Sequence, residues 1–158
     1  MPFTKVIFEK KEKTAVIKLN RPKEFNALDY ELTGELARAL EICKNERDIR
    51  AIVITGVGKA FCSGGDVAMF GSAKDKGEAI RQLVELLHNV TVGIRQMPKP
   101  VIAAINGVAA GGGLSMAAAC DLRISASTAK FKQAYTSIGL APDGAWSLTV
   151  PLLIGFGK

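Results

Sequence analysis

The chain has 158 residues, 48% of them hydrophobic and 23% charged, with a net charge of +6. That is one domain's length of a soluble globular chain, too apolar to be disordered and long enough to bury a core. Three widely spaced cysteines (Cys43, Cys62, Cys120), no C-x-x-C pair and a single histidine exclude a zinc site and a disulfide framework, and predict a reducing, cytoplasmic setting with no metal chemistry. The opening MPFTKVIFEKKEK becomes charged too early for a secretory leader. Seven Lys or Arg against two Glu in residues 1–23 carry most of the positive charge. Such a bias suits a polyanion, a small phosphorylated cofactor or a lysine-guarded edge strand. Aromatic residues are few and do not alternate with the basic ones, so no stacking platform for nucleic acid is visible.

Val6 to Glu9 and Ala15 to Leu19 read as strands around a polar turn, Lys10 to Thr14. Asn20-Arg21-Pro22 ends the second strand. Asp29 reads as the N-cap of an amphipathic helix over Tyr30 to Lys44, with Leu32, Leu36, Leu40 and Cys43 on one face. Ile49 to Thr55 is nearly all apolar and reads as a buried strand, and the order strand, helix, strand fits a parallel crossover. The loop Gly56 to Asp66 fails the dinucleotide fingerprint, because Phe61 stands at the third glycine position. It fails the phosphate-loop pattern as well, because no Ser or Thr follows Lys59. It still carries Ser63-Gly64-Gly65, where backbone N–H groups can face a ligand.

Lys74 to Gly77 is a polar break. Glu78 to Gln96 reads as a helix, with Ile80, Leu83, Leu87, Val90 and Ile94 on one face. His88 lies in this helix, as a surface or packing residue or as a catalytic one. Pro98 and Pro100 end it. Val101 to Ile105 reads as a strand, Asn106-Gly107 breaks it, and Gly111-Gly112-Gly113 precedes a helix-prone run, Leu114 to Ala119. A strand, a glycine turn and a helix place unpaired N–H groups at a helix start, a site for a ligand phosphate or a developing oxyanion. Val101 to Cys120 has no formal charge, but its Ala and Gly content, Asn106, Ser115 and lack of an aromatic belt argue against a membrane span. After a further strand at Asp121 to Ile124, Tyr135 to Gly144 reads as a loop. Asp143 in it is either the N-cap of a helix over Ala145 to Leu153 or a general base in an apolar setting. The end, Pro151 to Lys158, is apolar and would pack against something further along. The layout is α/β with no domain boundary.

Leu19-Asn20-Arg21-Pro22 with Asn26-Ala27-Leu28, Ala60-Phe61-Cys62-Ser63-Gly64-Gly65-Asp66, Lys99-Pro100-Val101 with Ala103-Ala104 and Asn106-Gly107, and Ala110-Gly111-Gly112-Gly113 with Cys120-Asp121 follow one another in this order. Together they resemble the crotonase, or enoyl-CoA hydratase/isomerase, superfamily over essentially the whole chain. The resemblance implies a spiral of stacked ββα units over residues 1–158, continued in the family by C-terminal helices that drive trimers and hexamers. The sequence stops before those helices. The resemblance also implies an acyl-CoA thioester as substrate, with coenzyme A as part of it, no permanently bound cofactor, no nucleic acid and no membrane.

By motif position, the N–H groups of Gly65 and Gly112 would stabilise an enolate-type oxyanion. Lys23, Phe25, Ala60, Ser63, Gly64, Gly65, Asp66 and Val67 fall at the family's coenzyme A contacts. Hydratases carry two glutamates where this chain has Ser115 and Tyr135. The remaining acid, Asp143, matches the aspartate of dienoyl-CoA isomerases, of phenylacetate-pathway isomerases and of 4-chlorobenzoyl-CoA dehalogenase, where it is the nucleophile. His88 matches the dehalogenase histidine, and Tyr135 stands where that enzyme has a tryptophan. The expectation is therefore double-bond isomerisation with Asp143 as base and Tyr135 or His88 orienting it. Hydration, substitution at Asp143 and non-catalytic coenzyme A binding are the alternatives.

Overall fold

The computed structural model describes residues 2–157. The chain opens with an antiparallel pair, β1 (Val6–Lys11) and β2 (Thr14–Leu19). The ladder runs on through Lys10↔Ala15 and Lys11↔Thr14, so the turn is only Glu12-Lys13 and shorter than the polar composition predicts. A 3-10 turn at Pro22–Glu24 leads to α1 (Tyr30–Asn45). The Asp29 carboxylate caps α1 by accepting from the Leu32 N–H at 2.8 Å, as the sequence predicts. Leu32, Leu36, Leu40 and Cys43 are all buried.

From there the chain repeats a unit of two strands and a helix. β3 (Ala51–Gly56) and β4 (Ala60–Cys62) lead to α2 (Val67–Ser72) and α3 (Lys76–Arg95). β5 (Val101–Ile105) and β6 (Val108–Ala110) lead to α4 (Gly111–Ala119), and β7 (Leu122–Ser125) and β8 (Phe131–Lys132) lead to α5 (Trp146–Ile154). The first strand of each unit joins a five-stranded sheet of order β1-β2-β3-β5-β7. The second joins a three-stranded sheet of order β4-β6-β8. Every pairing after β1–β2 is parallel. A parallel neighbour requires a crossover, and the helices supply it. The result is the α/β spiral of stacked units that the resemblance implies.

Side chains alternate on the central strands. Ala15, Ile17 and Leu19, then Ile52 and Ile54, then Val101, Ala103 and Ile105 point into the core, and their sequence neighbours are half-buried. β3 is therefore covered closely on one face only, although its sequence is apolar on both. The uncharged run from Val101 to Cys120 is divided among β5, β6 and α4, and no helix among the described residues is long and apolar enough to cross a membrane. Four elements lie where the sequence assigned no strand or helix: β4, α2, β6 and β8. The apolar end is exposed at Leu148, Leu152, Leu153, Ile154 and Phe156, and Leu153 and Ile154 line a groove together with exposed Phe131.

The three cysteines are free and buried, and burial pushes Cys62 and Cys120 up to about 12 and Cys43 up to about 11. As neutral thiols they are packing groups rather than nucleophiles. Burial raises the Glu35 carboxyl, but bonds from the N–H groups of Thr4, Lys5 and Val6 outweigh this and leave it below the ordinary glutamate range. This one carboxylate docks the start of β1 onto α1.

Replacing Glu35 by Ala leaves those N–H groups without their acceptor and is expected to cost about 1–3 kcal/mol, read as a lower urea midpoint at pH 7 with an unchanged slope. Because the folded-state pKa is depressed, the charge contributes fully above the unfolded value, and its contribution is lost as pH falls through the folded one. The difference between the native protein and Glu35→Gln should therefore narrow in acid. At Gly113, an added Cβ would lie 2.6 Å from Cys62 Cβ and 2.7 Å from Cys62 Sγ. Gly113→Ala should force α4 away from β4 and lower stability by about 1–3 kcal/mol, measured by thermal unfolding.

Candidate active site

β4 pairs with β6, with Cys62 opposite Ala109, so the turns after these two strands leave the sheet side by side. Ligands in parallel α/β architectures sit beyond the carboxyl ends of strands, and both glycine motifs lie there. The approach is close: a Cβ on Gly64 would lie 3.0 Å from the Ala110 carbonyl oxygen and 3.4 Å from Gly112 N. Gly64 also has φ +97°, which a side chain would strain.

Gly65 forms a parallel bridge with Leu28. The Leu28 N–H donates to the Gly64 carbonyl at 2.7 Å, and the Asp66 N–H donates to the Leu28 carbonyl at 2.9 Å. In such a bridge the central residue's own N–H is turned away from its partner, and that of Gly65 has no acceptor among the described residues. Gly112 is the second residue of α4, where an N–H has no intrahelical partner. The triple glycine is thus the first turn of the helix itself rather than a turn before it.

Both glycines line a cavity of about 200 Å³, whose other walls include Leu28, Phe70, Leu83, Leu87, Ile138 and Leu140. Asp143 and Tyr135 also line it. Tyr135 opens a short 3-10 turn, Tyr135–Ile138, within the segment that reads as loop. Its hydroxyl donates to Asp143 Oδ1 at 2.5 Å and lies 2.7 Å from Ser115 Oγ. The carboxylate only accepts, so the phenol donates to it, and Ser115 in turn donates to the phenol oxygen. The contact from Ser115 to the Gly111 carbonyl is longer, at 3.4 Å. Burial pushes the Asp143 carboxyl above the ordinary aspartate range, partly offset by the bond from Tyr135. Burial and the neighbouring Asp143 hold the Tyr135 phenol protonated. Asp143 is not a helix cap: α5 begins after Ala145, which makes no side-chain cap. Asp143 is the one acid among the residues lining the cavity, and Oδ1 lies 3.8 Å from where a Cβ on Gly112 would stand.

The remaining candidates separate. His88 is on the exposed side of α3 and does not line the cavity. Ala60 is buried, and its carbonyl accepts from the Asn26 and Asn106 side chains, so it faces the interior. Lys23 and Phe25 are exposed, and the Ser63 N–H donates to the Phe25 carbonyl at 3.1 Å, which brings that segment against the Ser63 to Val67 loop. Val67 lies at the cavity rim. Asp66 accepts from the Met69 N–H and from Arg21. Ser115, which the sequence marked only as a departure from a family pattern, completes the hydroxyl chain. Its place four residues after Gly111 on the same helix was the available signal. No cluster of three or more His, Cys, Asp or Glu able to hold a metal occurs among the described residues.

The family model for enoyl-CoA hydratase/isomerase matches residues 9–158. The chain is 38% identical over 158 residues to a crotonyl-CoA hydratase of Syntrophomonas wolfei, covering 99% of this chain and 60% of that protein. It is 40% identical over 138 residues to the 1,2-epoxyphenylacetyl-CoA isomerase of Escherichia coli, covering 82% of this chain and 51% of that one. The crystal structure of an enoyl-CoA hydratase from Bacillus anthracis superposes with a TM-score of 0.92 at 33% identity, over 98% of this chain and 60% of that one. The chain thus spans about 60% or less of the length of these relatives. Matched almost end to end in sequence and in fold, it belongs to the enoyl-CoA hydratase/isomerase family of the crotonase superfamily.

Proposed function

We propose that this site moves a double bond in an acyl-CoA thioester, with Asp143 as the base. The observation that carries the reading is a single half-buried carboxylate in a largely apolar cavity, beside the unpaired N–H of Gly112. In this reading the thioester oxygen accepts from the N–H groups of Gly65 and Gly112. Asp143 Oδ2 takes a proton from the acyl chain, the electron pair passes into the thioester as an enolate, and the carboxyl, whose proton exchanges with solvent, returns a proton at a different carbon. Fixed donors matter because the oxyanion charge appears only along the reaction path, and loss of one such donor costs about 3–4 kcal/mol of barrier. A raised aspartate pKa brings the base closer to that of the carbon acid it must deprotonate. Tyr135 holds Oδ1 and leaves Oδ2 toward the substrate. The Lys23 to Phe25 segment and the Ser63 to Val67 loop hold the coenzyme A portion, whose phosphates suit the basic N-terminal region. Names among the relatives cover both hydration and isomerisation, and the residues in this cavity are what supports isomerisation in this reading.

A 3-enoyl-CoA incubated in heavy water and followed by NMR is expected to exchange hydrogen at its acyl carbons as the double bond moves. Asp143→Asn should slow both by about 10²–10⁴-fold. Exchange that survives in Asp143→Asn would overturn the assignment of the base. Conversion of crotonyl-CoA to a 3-hydroxyacyl-CoA without bond migration would make hydration the activity, and binding with no reaction would leave a coenzyme A-binding module. A covalent adduct on Asp143 with a 4-halobenzoyl-CoA would indicate substitution.

Tyr135→Phe removes a donor that favours the charged carboxylate, so the Asp143 pKa should rise further. The base works deprotonated. The acid limb of the kcat/KM profile should therefore move to higher pH in Tyr135→Phe, and an unmoved limb would separate Tyr135 from the base.

A further inference from the structure

We infer that Arg21 is a positioning residue for the Gly65 N–H. The inference rests on the reading of Gly65 as an oxyanion donor given above. Gly65 does not fix its own direction. Glycine has the widest choice of backbone conformation, and its N–H must be aimed by what holds its neighbours. The bridge to Leu28 does this, and one guanidinium grips both sides of that bridge.

Arg21 Nη1 donates to the carbonyl of Ala27, the residue before Leu28, at 2.6 Å. Arg21 Nη2 donates to Asp66 Oδ2, on the residue after Gly65, at 2.9 Å. Arg21 Nε lies 3.4 Å from Asp29 Oδ2, on the residue after Leu28. The planar fork therefore ties three residues that flank the bridge, a geometry that a single ammonium cannot reproduce. The Asp29 and Asp66 side chains also cap α1 and α2, through the N–H groups of Leu32 and Met69, so the guanidinium joins two helix starts to the oxyanion turn. Its side chain is only 14% exposed and that of Asp66 15%, where a charge-assisted pair keeps much of its strength.

Arg21 itself is held from behind. Its N–H donates to Asn26 Oδ1 at 2.9 Å, and its carbonyl accepts from the Asn26 N–H at 2.8 Å. Asn26 takes φ 56° to close this loop and anchors its amide on the Val57 and Ala60 carbonyls. The Arg21-to-Asn26 loop thus carries the rigidity of β4 to the fork. Nothing in this chain of contacts includes the Asp143 base.

The test reads the donor directly. Butyryl-CoA labelled with ¹³C at its thioester carbonyl is bound to the protein, and the carbonyl stretch is measured by difference infrared spectroscopy. Stronger hydrogen bonding lowers the stretch. In the unsubstituted protein it should lie below that of free butyryl-CoA. In Arg21→Met and Arg21→Lys much of this shift should be lost, and enoyl-CoA turnover should fall about 10²-fold in kcat with a smaller change in KM.

A purely structural Arg21 would lower the folded fraction but leave the carbonyl frequency of the bound fraction unchanged, so a full shift in either folded Arg21 variant overturns the inference. If neither variant folds, Asp66→Asn decides by the same readout. It keeps the α2 cap and weakens only the charged partner of Arg21, so a reduced shift supports the inference and a full shift overturns it. If the unsubstituted protein itself binds no butyryl-CoA or shows no shift, the donor reading of Gly65 fails, and this inference falls with it. That result is distinct from a failure of Asp143 as base, which the carbonyl frequency does not report.

Discussion

Cys62 and Ala109 face each other across the parallel pairing of β4 and β6, and the geometry of the site follows from that register. Parallel strands end in the same direction, so the turns that follow them emerge together. One turn enters α2 through Asp66, and the other is the first turn of α4. The two can lie in contact only where side chains are absent. Gly64 against Ala110 and Gly113 against Cys62 meet that requirement. The same absence leaves the N–H groups of Gly65 and Gly112 uncovered, so close packing and an open pair of donors have one cause. Small residues here are not loose packing but the condition for two backbone turns to share one cavity.

The electrostatics of the cavity depend on what the apolar wall excludes. A carboxylate among Leu28, Leu87, Ile138 and Leu140 loses hydration, and its neutral form gains relative to its charged form. The phenol of Tyr135 restores part of that loss at one oxygen, and Ser115 supports the phenol from the buried side of α4. The chain of hydroxyls runs in one direction because only its last member is an obligate acceptor. It holds the carboxylate in one orientation without supplying a second acid.

Periodicity made the larger elements legible. The spacing of Leu32, Leu36, Leu40 and Cys43, the cap at Asp29 and the apolar runs at β3 and β5 lie where the residues said they would. The second sheet was not legible, because strands of two or three residues are too short to display a period, and they exist by pairing with one another. His88 shows a different limit. It follows Leu87, which faces the interior, and one residue along a helix is a turn of about 100°, so it points out of the cavity. The helical period alone carried that result, whereas alignment with a motif position pulled the other way. For Asp143 the residues alone left both a cap and a base open. Positive φ at Gly144 and Ala145 bends the chain before α5 and removes the carboxylate from the helix start, a backbone turn that no residue pattern announces.

Ser115 and Tyr135 beside Asp143 set what the cavity can hold. A water positioned for addition to a double bond needs an acceptor to take its proton and a second group to fix it. Ser115 is fully buried, and its short bond goes to Tyr135. The Tyr135 hydroxyl donates its hydrogen bond to Asp143. Each hydroxyl is committed to the other or to the aspartate, which leaves one carboxylate oxygen as the principal polar group on that wall. A single oxygen of this kind can take a proton from carbon and return it without a water present. The apolar residues around it suit that route, because they give an acyl chain contact on several sides.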